Sequence, residues 1–149
     1  RNVAGPADYT PFALTFRKYT RLNTAAHELA MAMIYTSGVI HFADSEEVFN
    51  SLPNELKNLL KEMPATWDKT ECIIGEPGNL SYVVGINGTD ANQPITIDLK
   101  KYGKGFSKFR IISEGKDPLM DFKVESYPLI SNWKYNLAPK GGFIIQFVK

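Results

Sequence analysis

The sequence has very few residues of the kinds that cross-link a chain or bind metals. Cys72 is its one cysteine, which excludes an intramolecular disulfide and most cysteine-based metal sites. We interpret it as a small apolar residue buried in a strand. The two histidines, His27 and His41, are too far apart to form a pair on one helical face, where neighbours are three or four residues apart. We expect both to be structural, capping or bridging between a helix and its neighbour.

An excess of charge and a long apolar run are also missing. Lys plus Arg is 17 and Asp plus Glu is 16, a balance that gives no support for binding to nucleic acid. No apolar run reaches the ~20 residues of a membrane-spanning helix. The first residues, RNVAGPADY, contain neither an initiator Met nor the apolar segment of a signal peptide. We therefore expect a fragment or a processed chain that binds neither nucleic acid nor a membrane.

Sequence motifs of common enzyme classes are absent as well. The chain has no GxGxxG, P-loop, HExxH, paired CxxC or GxSxG pattern. Its helical carboxylates are predicted to lie on solvated faces or at caps, and none suggests the facing pair that acid–base chemistry needs. These carboxylates are Glu46, Glu47, Glu55 and Glu62. No catalytic residue and no metal ligand is predicted on this chain.

The longest apolar helical signal runs from Asn23 to Asp44. Asn23 or Thr24 is the predicted N-cap, and Gly38 ends or kinks the helix. The inner part, Leu29–Tyr35, is apolar on every face, and such a helix must be covered on more than one side. The later strands can supply one cover, and we expect the other to lie outside this sequence. The isolated chain should then expose Leu29–Tyr35 and pair with itself or with another chain.

Two shorter helices and a series of strands follow. The run Asp44-Ser45-Glu46-Glu47 resembles a capping box before a helix over 45–51, and Pro53 begins a helix with one apolar face that ends near Met63. From Thr66 onward, alternation and turn residues predict strands. The predicted strands are 71–75, 81–86, 95–99, 108–111, 120–125, 133–137 and 143–148. About seven strands at this spacing predict an antiparallel, Greek-key-like β-sandwich.

Six aromatic residues allow two interpretations, a sugar-stacking platform or the core and rim of the sandwich. They are Trp67, Tyr82, Tyr102, Tyr127, Trp133 and Tyr135. Two segments, Asn79-Leu80-Ser81 and Asn87-Gly88-Thr89, match the N-glycosylation sequon, which also arises by chance.

The segment GPADYTP, Gly5–Pro11, is the one loop that suggests chemistry. It follows a predicted strand end and carries Asp8, Tyr9 and Thr10. In a parallel α/β barrel, the loops after the strands build the active site. The other interpretation of Asp8 is that it only forms a turn.

Several segments together resemble the C-terminal part of glycoside hydrolase family 97. They are GPADYTP, TAAHELAMAMIYTSGVIHFADS, PNELKNLLKEMPATWDKT, GEPG, GING and LAPKGGF, and they extend over essentially the whole chain. Family members carry an N-terminal β-sandwich, a catalytic (β/α)8 barrel and a C-terminal antiparallel β-sandwich. The resemblance implies that Arg1–Gly5 ends the eighth barrel strand, Gly5–Pro11 is the following loop and Asn23–Gly38 is the last barrel helix. Residues 1–65 would be the end of the barrel with connecting helices, and 66–149 the C-terminal sandwich.

The resemblance also implies a function. Family 97 includes calcium-dependent α-glucosidases and α-galactosidases that act on oligosaccharides, in the bacterial periplasm or outside the cell. Two carboxylates flank the bond that such enzymes cleave. In the family those carboxylates and the calcium ligands lie upstream of the part present here, so none is carried over. Asp8, Tyr9 and Thr10 are the positions that we expect near the substrate.

The sequence thus predicts a structural piece of an α-glycosidase, inactive alone, whose partner is the upstream barrel of the same protein. Ala7 and Phe12 stand where the family has Met and Gly, and the segment 78–88 is shorter than usual. These departures leave open a changed specificity or a loss of activity. A carbohydrate-binding module with exposed aromatic residues is the alternative function, and an interaction domain without enzymatic chemistry is a third.

Overall fold

The computed structural model describes residues 9–15, 21–34, 40–63 and 82–149. Over these residues the chain is mainly β, with its longer helices in the N-terminal half. The helices are α1 (Ala25–Ile34), α2 (Glu46–Ser51), α3 (Asn54–Glu62) and α4 (Leu99–Tyr102). The strands are β1 (Tyr9–Phe12), β2 (Ile40–Phe42), β3 (Tyr82–Ile86), β4 (Gln93–Ile97), β5 (Lys108–Glu114), β6 (Phe122–Pro128), β7 (Trp133–Leu137) and β8 (Gly142–Val148).

The central sheet has the strand order β3-β8-β5-β6, with every neighbouring pair antiparallel. Both faces of this sheet are covered. Phe143 and Ile145 of β8 lie in one hydrophobic core, whereas Ile144 between them lies in the other. Successive side chains of a strand point to opposite faces, so a strand between two cores must be apolar throughout. That requirement explains the continuous apolar run of β8.

The second sheet consists of β4 and β7, which pair antiparallel, and it covers one face of the central sheet. Trp133 of β7 is the large side chain between the two sheets. Its ring lies edge-on to the rings of Phe109 and Phe143, with centroids 5.8 Å apart in each case. The predicted antiparallel sandwich is therefore confirmed. Its sheet neighbours are not in sequence order, as expected of a Greek-key-like arrangement rather than a meander.

Helix α1 covers the other face of the central sheet. Leu29 of α1 shares a core with Ile112 and Ile144 of the sheet, and Leu56 and Leu59 of α3 belong to the same core. Leu56 and Leu59 are three residues apart and lie on the apolar face predicted for that helix. The end of α3 also contacts the sheet directly, because Gln146 of β8 donates to the Glu62 carboxylate at 3.3 Å.

The prediction that Leu29–Tyr35 forms an exposed apolar patch is wrong over the described part of that range. Leu29, Ala30, Ala32 and Met33 are buried, and Met31 and Ile34 are half-buried. The helix does need two covers, and its own chain supplies part of the second one, because Leu56 and Leu59 of α3 belong to the same core. Tyr35 lies outside the described residues.

Strands β1 and β2 pair in parallel on either side of α1 in the sequence, with Tyr9 opposite Ile40 and Phe12 opposite Phe42. The sequence predicted one strand at Arg1–Gly5, a loop over Gly5–Pro11 and no strand after α1. The prediction of a loop is wrong at Tyr9–Pro11, because these residues belong to β1. Strand β2 was not predicted. Arg1–Gly5 and the predicted strand 71–75 lie outside the described residues, as does the proposed domain boundary at 65/66, which stays a prediction.

Candidate functional site

The predicted substrate-binding residues belong to the first described strand. Tyr9 and Thr10 lie in β1, and Asp8 immediately precedes the described residues. The structure gives the backbone course of β1 but not the positions of the Tyr9 and Thr10 side chains. Their role in binding substrate stays a prediction.

Asp44 joins the carboxyl ends of the two parallel strands. Its carboxylate accepts hydrogen bonds from the backbone N–H of Leu14 and from the hydroxyl and backbone N–H of Thr15, the last at 3.3 Å. The sequence assigned Asp44 to a capping box, but Ser45 is the N-cap of α2 and makes no side-chain capping bond. Because parallel strands end at the same edge of a sheet, Asp44 instead fixes the segment that follows β1. A prediction of strand β2 would have placed Asp44 at the same sheet edge as the segment that follows β1.

A polar seam connects the first turn of α1 to the sandwich. The hydroxyl of Thr24 accepts the backbone N–H of His27 at 3.1 Å, which confirms Thr24 as the cap of α1. The same hydroxyl lies 3.2 Å from Oε1 of Glu114, which also accepts the backbone N–H of Gly142 at 2.6 Å. Nδ1 of His27 is 3.0 Å from the carbonyl oxygen of Gly141. The seam therefore fixes α1 against the start of β8.

The two histidines have different surroundings. His27 is buried and bridges α1 to Gly141, as predicted for a structural histidine. Because a carbonyl can only accept, the Nδ1 of His27 carries the proton in this contact. His41 is exposed on β2.

A concave site is formed beside the edge strand β6, where the second sheet ends. The β6–β7 groove, as we call it, has a volume of about 390 Å³, which lies within the range of roughly 300–1,000 Å³ for small-ligand pockets. Its walls are mostly apolar and aromatic, with two charged residues. The groove is lined by Phe109, Ile111, Glu125, Tyr127, Pro128, Ile130, Trp133, Lys134 and Tyr135.

Strand pairing explains why these residues meet. Phe109 lies opposite Tyr127 and Ile111 lies opposite Glu125 in the β5–β6 register, so these four side chains share the face that looks toward β7. Over the described residues the second sheet consists of β4 and β7, which cover part of that face. Tyr127 consequently remains 41% exposed, and the inner face of β6 is open to solvent.

The electrostatics of the groove depend on Glu125. Lys123 donates to Glu125 at 3.0 Å, and this contact lowers the pKa of Glu125 below its ordinary value of 4.5. The hydrogen bond to Glu125 in turn raises the pKa of Tyr127, and burial raises that of Tyr135. At neutral pH the groove therefore contains the Glu125 carboxylate, paired with Lys123, and two neutral phenols.

Of the six aromatic residues proposed as a platform, the structure brings three together in this groove: Tyr127, Trp133 and Tyr135. The rings of Trp133 and Tyr135 are stacked, with centroids 4.9 Å apart. Tyr102 is buried in the core between the sheets, and Tyr82 packs against the core on the helix side. Trp67 lies outside the described residues, as do Cys72 and the sequon at Asn79.

Other predicted residues do not form a chemical site. The carboxylates Glu46, Glu47, Glu55 and Glu62 lie on exposed helical surface. In the part of the chain that the structure describes, no group of three or more His, Cys, Asp or Glu side chains could hold a metal ion. Among the described helices, none has the length and apolar character needed to cross a membrane.

Comparisons with known proteins point to glycosidases. A probable retaining alpha-galactosidase of Streptomyces bingchenggensis (strain BCW-1) is 31% identical over an alignment of 130 residues, which covers 80% of this chain and 20% of that protein. A crystal structure of a beta-arabinopyranosidase matches with a TM-score of 0.76 at 20% identity, over 97% of this chain and 26% of its own. No protein-family model matches the chain.

A Glycoside Hydrolase Family 97 enzyme from Pseudoalteromonas sp. strain K8, in complex with acarbose, matches over 98% of this chain and 27% of its own, with a TM-score of 0.69 at 22% identity. The same enzyme was also solved as a variant in complex with panose. The resemblance to the C-terminal part of family 97 that the motifs predicted is confirmed. The chain spans about a fifth of the length of its curated relative and about a quarter of these solved chains.

Proposed function

We propose that this chain is the C-terminal portion of a family-97-like glycoside hydrolase that cleaves α-glucosidic or α-galactosidic bonds. The observation that carries the proposal is that the sequence relative and the family 97 structures are all glycosidases, and that the fold likeness extends over nearly the whole chain. On this proposal the chain has a structural role, and the carboxylates that act on the bond belong to the rest of the protein.

The parallel pair β1–β2 supports this role. Parallel strands are normally buried on both faces in a larger sheet. Ile40 packs on the α1 side, so His41 points to the opposite face, and both His41 and Phe42 are exposed, Phe42 by 45%. Among the described residues neither strand has a second neighbour. The remaining strands of a catalytic barrel, supplied by the same protein, would extend this sheet and cover His41.

The structural role then follows from the position of α1. The helix contacts both β1 and the central sheet of the sandwich. It would therefore fix the position of the end of the barrel relative to the sandwich. Asp44 would hold the segment after β1 in place at the edge where barrel active sites form. Asp8, Tyr9 and Thr10 would lie next to that edge and contact the oligosaccharide.

Calcium and an extracytoplasmic location also belong to the proposal. Calcium prefers six to eight oxygen ligands, and the described residues offer no acidic cluster for it. The metal would therefore be held by the upstream barrel, and nothing in the role of this chain depends on it. The whole enzyme would act on oligosaccharides in the bacterial periplasm or outside the cell.

The test compares the 149-residue chain with the longer protein. We expect the longer protein to release nitrophenol from 4-nitrophenyl α-glucoside or α-galactoside, and to lose this turnover when EDTA removes calcium. The chain alone should release no more than a heat-inactivated control. Turnover by the chain alone would contradict the structural role. A folded, calcium-loaded longer protein that cleaves neither compound would contradict the glycosidase proposal.

A further inference from the structure

The β6–β7 groove is a site that the proposed role of the chain does not use. In the part of the chain that the structure describes, β4 and β7 form a narrower sheet than the four strands that they cover, and the groove lies beside the uncovered strand β6. An edge strand with an open face would ordinarily carry polar residues on that face. Here the open face carries Tyr127, 41% exposed, beside the Lys123–Glu125 ion pair, while Phe109 and Ile111 beneath it are buried. An exposed aromatic ring next to hydrogen-bonding groups offers a ligand an apolar surface with polar contacts at its edge.

The chemistry of the lining restricts that occupant. The floor and one wall are aromatic or aliphatic, and Ile130 is 42% exposed beside them. Glu125 supplies hydrogen-bond acceptors, and the phenol of Tyr127 supplies a donor or an acceptor. Lys123 pairs with Glu125 at 3.0 Å, so this rim carries no unpaired charge and favours neither an anion nor a cation. A matching ligand is neutral overall, has one apolar face and carries hydroxyl groups around its rim.

A pyranose ring has this combination, since its axial C–H groups form an apolar face and its hydroxyls point outward. We propose that the β6–β7 groove binds a neutral oligosaccharide, with a sugar ring against Tyr127 and its hydroxyls bonded to the Glu125 carboxylate. The site is separate from the proposed active-site edge of β1 and β2. It would hold a carbohydrate chain on the sandwich while the barrel acts on another part of it.

The stacked pair Trp133–Tyr135 fixes the geometry of the wall. The two rings are nearly parallel, at 12°, and Trp133 is only 8% exposed. Because neighbouring aromatic rings hold both side chains in place, the wall is preorganised and loses little conformational entropy on binding. Tyr127 packs against Phe109 at 5.6 Å and its hydroxyl is hydrogen-bonded to Glu125, so the ring that would contact the sugar is held in place as well.

The direct test is an NMR titration of the 149-residue chain with maltotriose and, separately, with melibiose. The chain has two tryptophans, so a Trp67→Phe variant assigns the indole signal of Trp133. We expect saturable shifts of this signal and of the Tyr127 and Lys134 amides with at least one sugar. Shifts confined to β1, β2 or α1, or no shift at concentrations up to tens of millimolar, would overturn the proposal.

Three substitutions on the same strand make the test specific. Tyr127→Ala removes the stacking ring and should weaken binding about tenfold, the loss expected for ~1.4 kcal/mol. Ser126→Ala changes the preceding residue, which is exposed on the other face of β6, and should leave the dissociation constant unchanged. Glu125→Gln should weaken binding less than Tyr127→Ala does. Equal affinity of Tyr127→Ala and the unchanged chain would contradict a site in this groove.

Discussion

Nδ1 of His27 lies 3.0 Å from the carbonyl oxygen of Gly141, which also accepts the backbone N–H of Asn87 at 2.8 Å. One carbonyl thus joins helix α1, the end of β3 and the turn before β8. The contact lies at the junction between the helical part of the chain and the sandwich. In the proposed structural role, α1 fixes the end of the barrel relative to the sandwich, and this role requires such a connection.

The first prediction concerns this histidine. His27→Ala should lower the free energy of unfolding by about 1–3 kcal/mol, because a buried hydrogen bond is lost and the imidazole leaves a gap. His41→Ala is the matched control, since His41 is exposed on β2, and should change stability by less than about 0.5 kcal/mol. Urea unfolding of both variants measures the difference. Equal effects would mean that the His27 contact does not stabilise the fold.

Close approach of α1 to β8 gives the second prediction. A Cβ at position 142 would lie 2.7 Å from the Cα of His27. This distance is too short for two carbon atoms in contact, so the backbone would have to shift. Gly142→Ala should therefore lower the unfolding free energy by about 1–3 kcal/mol. Gly88→Ala is the control, because a Cβ there has no atom within 4 Å. Thermal unfolding should separate the two, and a Gly142→Ala protein as stable as Gly88→Ala would exclude this tight contact.

Asn87 carries the third prediction. Its Nδ2 donates to the carbonyl oxygens of Ala91 at 2.7 Å and Ala138 at 2.8 Å, and its Oδ1 accepts the Thr89 hydroxyl at 2.9 Å. The amide that a glycan would modify is buried and fully bonded, so the sequon here builds a turn. Mass spectrometry after expression in a glycosylating host should find no glycan at Asn87 in the folded protein.

An unfolding measurement complements this result. Asn87→Ala should cost about 1–3 kcal/mol, because two carbonyl groups lose their donors. The exposed Asn136 on β7 is the control position, where alanine should have little effect. A glycan on folded protein at Asn87, or stability unaffected by Asn87→Ala, would contradict this role of the side chain.

The fourth prediction is the pH dependence of the groove. The hydrogen bond from Lys123 lowers the pKa of Glu125, so the folded state favours the ionised carboxylate. The contribution of this pair is complete above the ordinary value of 4.5 and is lost as the pH falls through the lower folded pKa. A carbon-detected NMR titration should give a Glu125 midpoint below 4.5, and Lys123→Ala should raise it. A midpoint unaffected by Lys123→Ala would exclude the ion pair in solution.

The sequence predicted the sandwich well because its strands carry strong local signals. Strand β8 is apolar throughout because it is buried on both faces, and α3 has a single apolar face because it is buried on one side. Strand β2 was missed because Ile40–Phe42 is three residues long, too short to show a period. The enclosure of α1 was mispredicted because a pattern shows how many covers a helix needs and not which segments supply them.

The candidate sites were less predictable for the same reason. Asp44 was assigned to a helix cap because only the local sequence was considered, while its partners Leu14 and Thr15 are about thirty residues away. The groove aromatics were named among six candidates, but their meeting depends on strand register. Tyr127 and Trp133 line the same groove because the described strands of the second sheet, β4 and β7, leave β6 uncovered. The composition of the chain does not encode which strands that sheet covers.

The central claim is that β1 and β2 form part of a larger parallel sheet completed by the rest of the enzyme. Hydrogen–deuterium exchange of peptides that cover 40–44, measured in the 149-residue chain and in the longer protein, tests it directly. We predict rapid exchange in the chain alone and at least ~100-fold slower exchange in the longer protein, with the β8 amides equally protected in both. Equal exchange of the 40–44 peptides in the two proteins would contradict the claim.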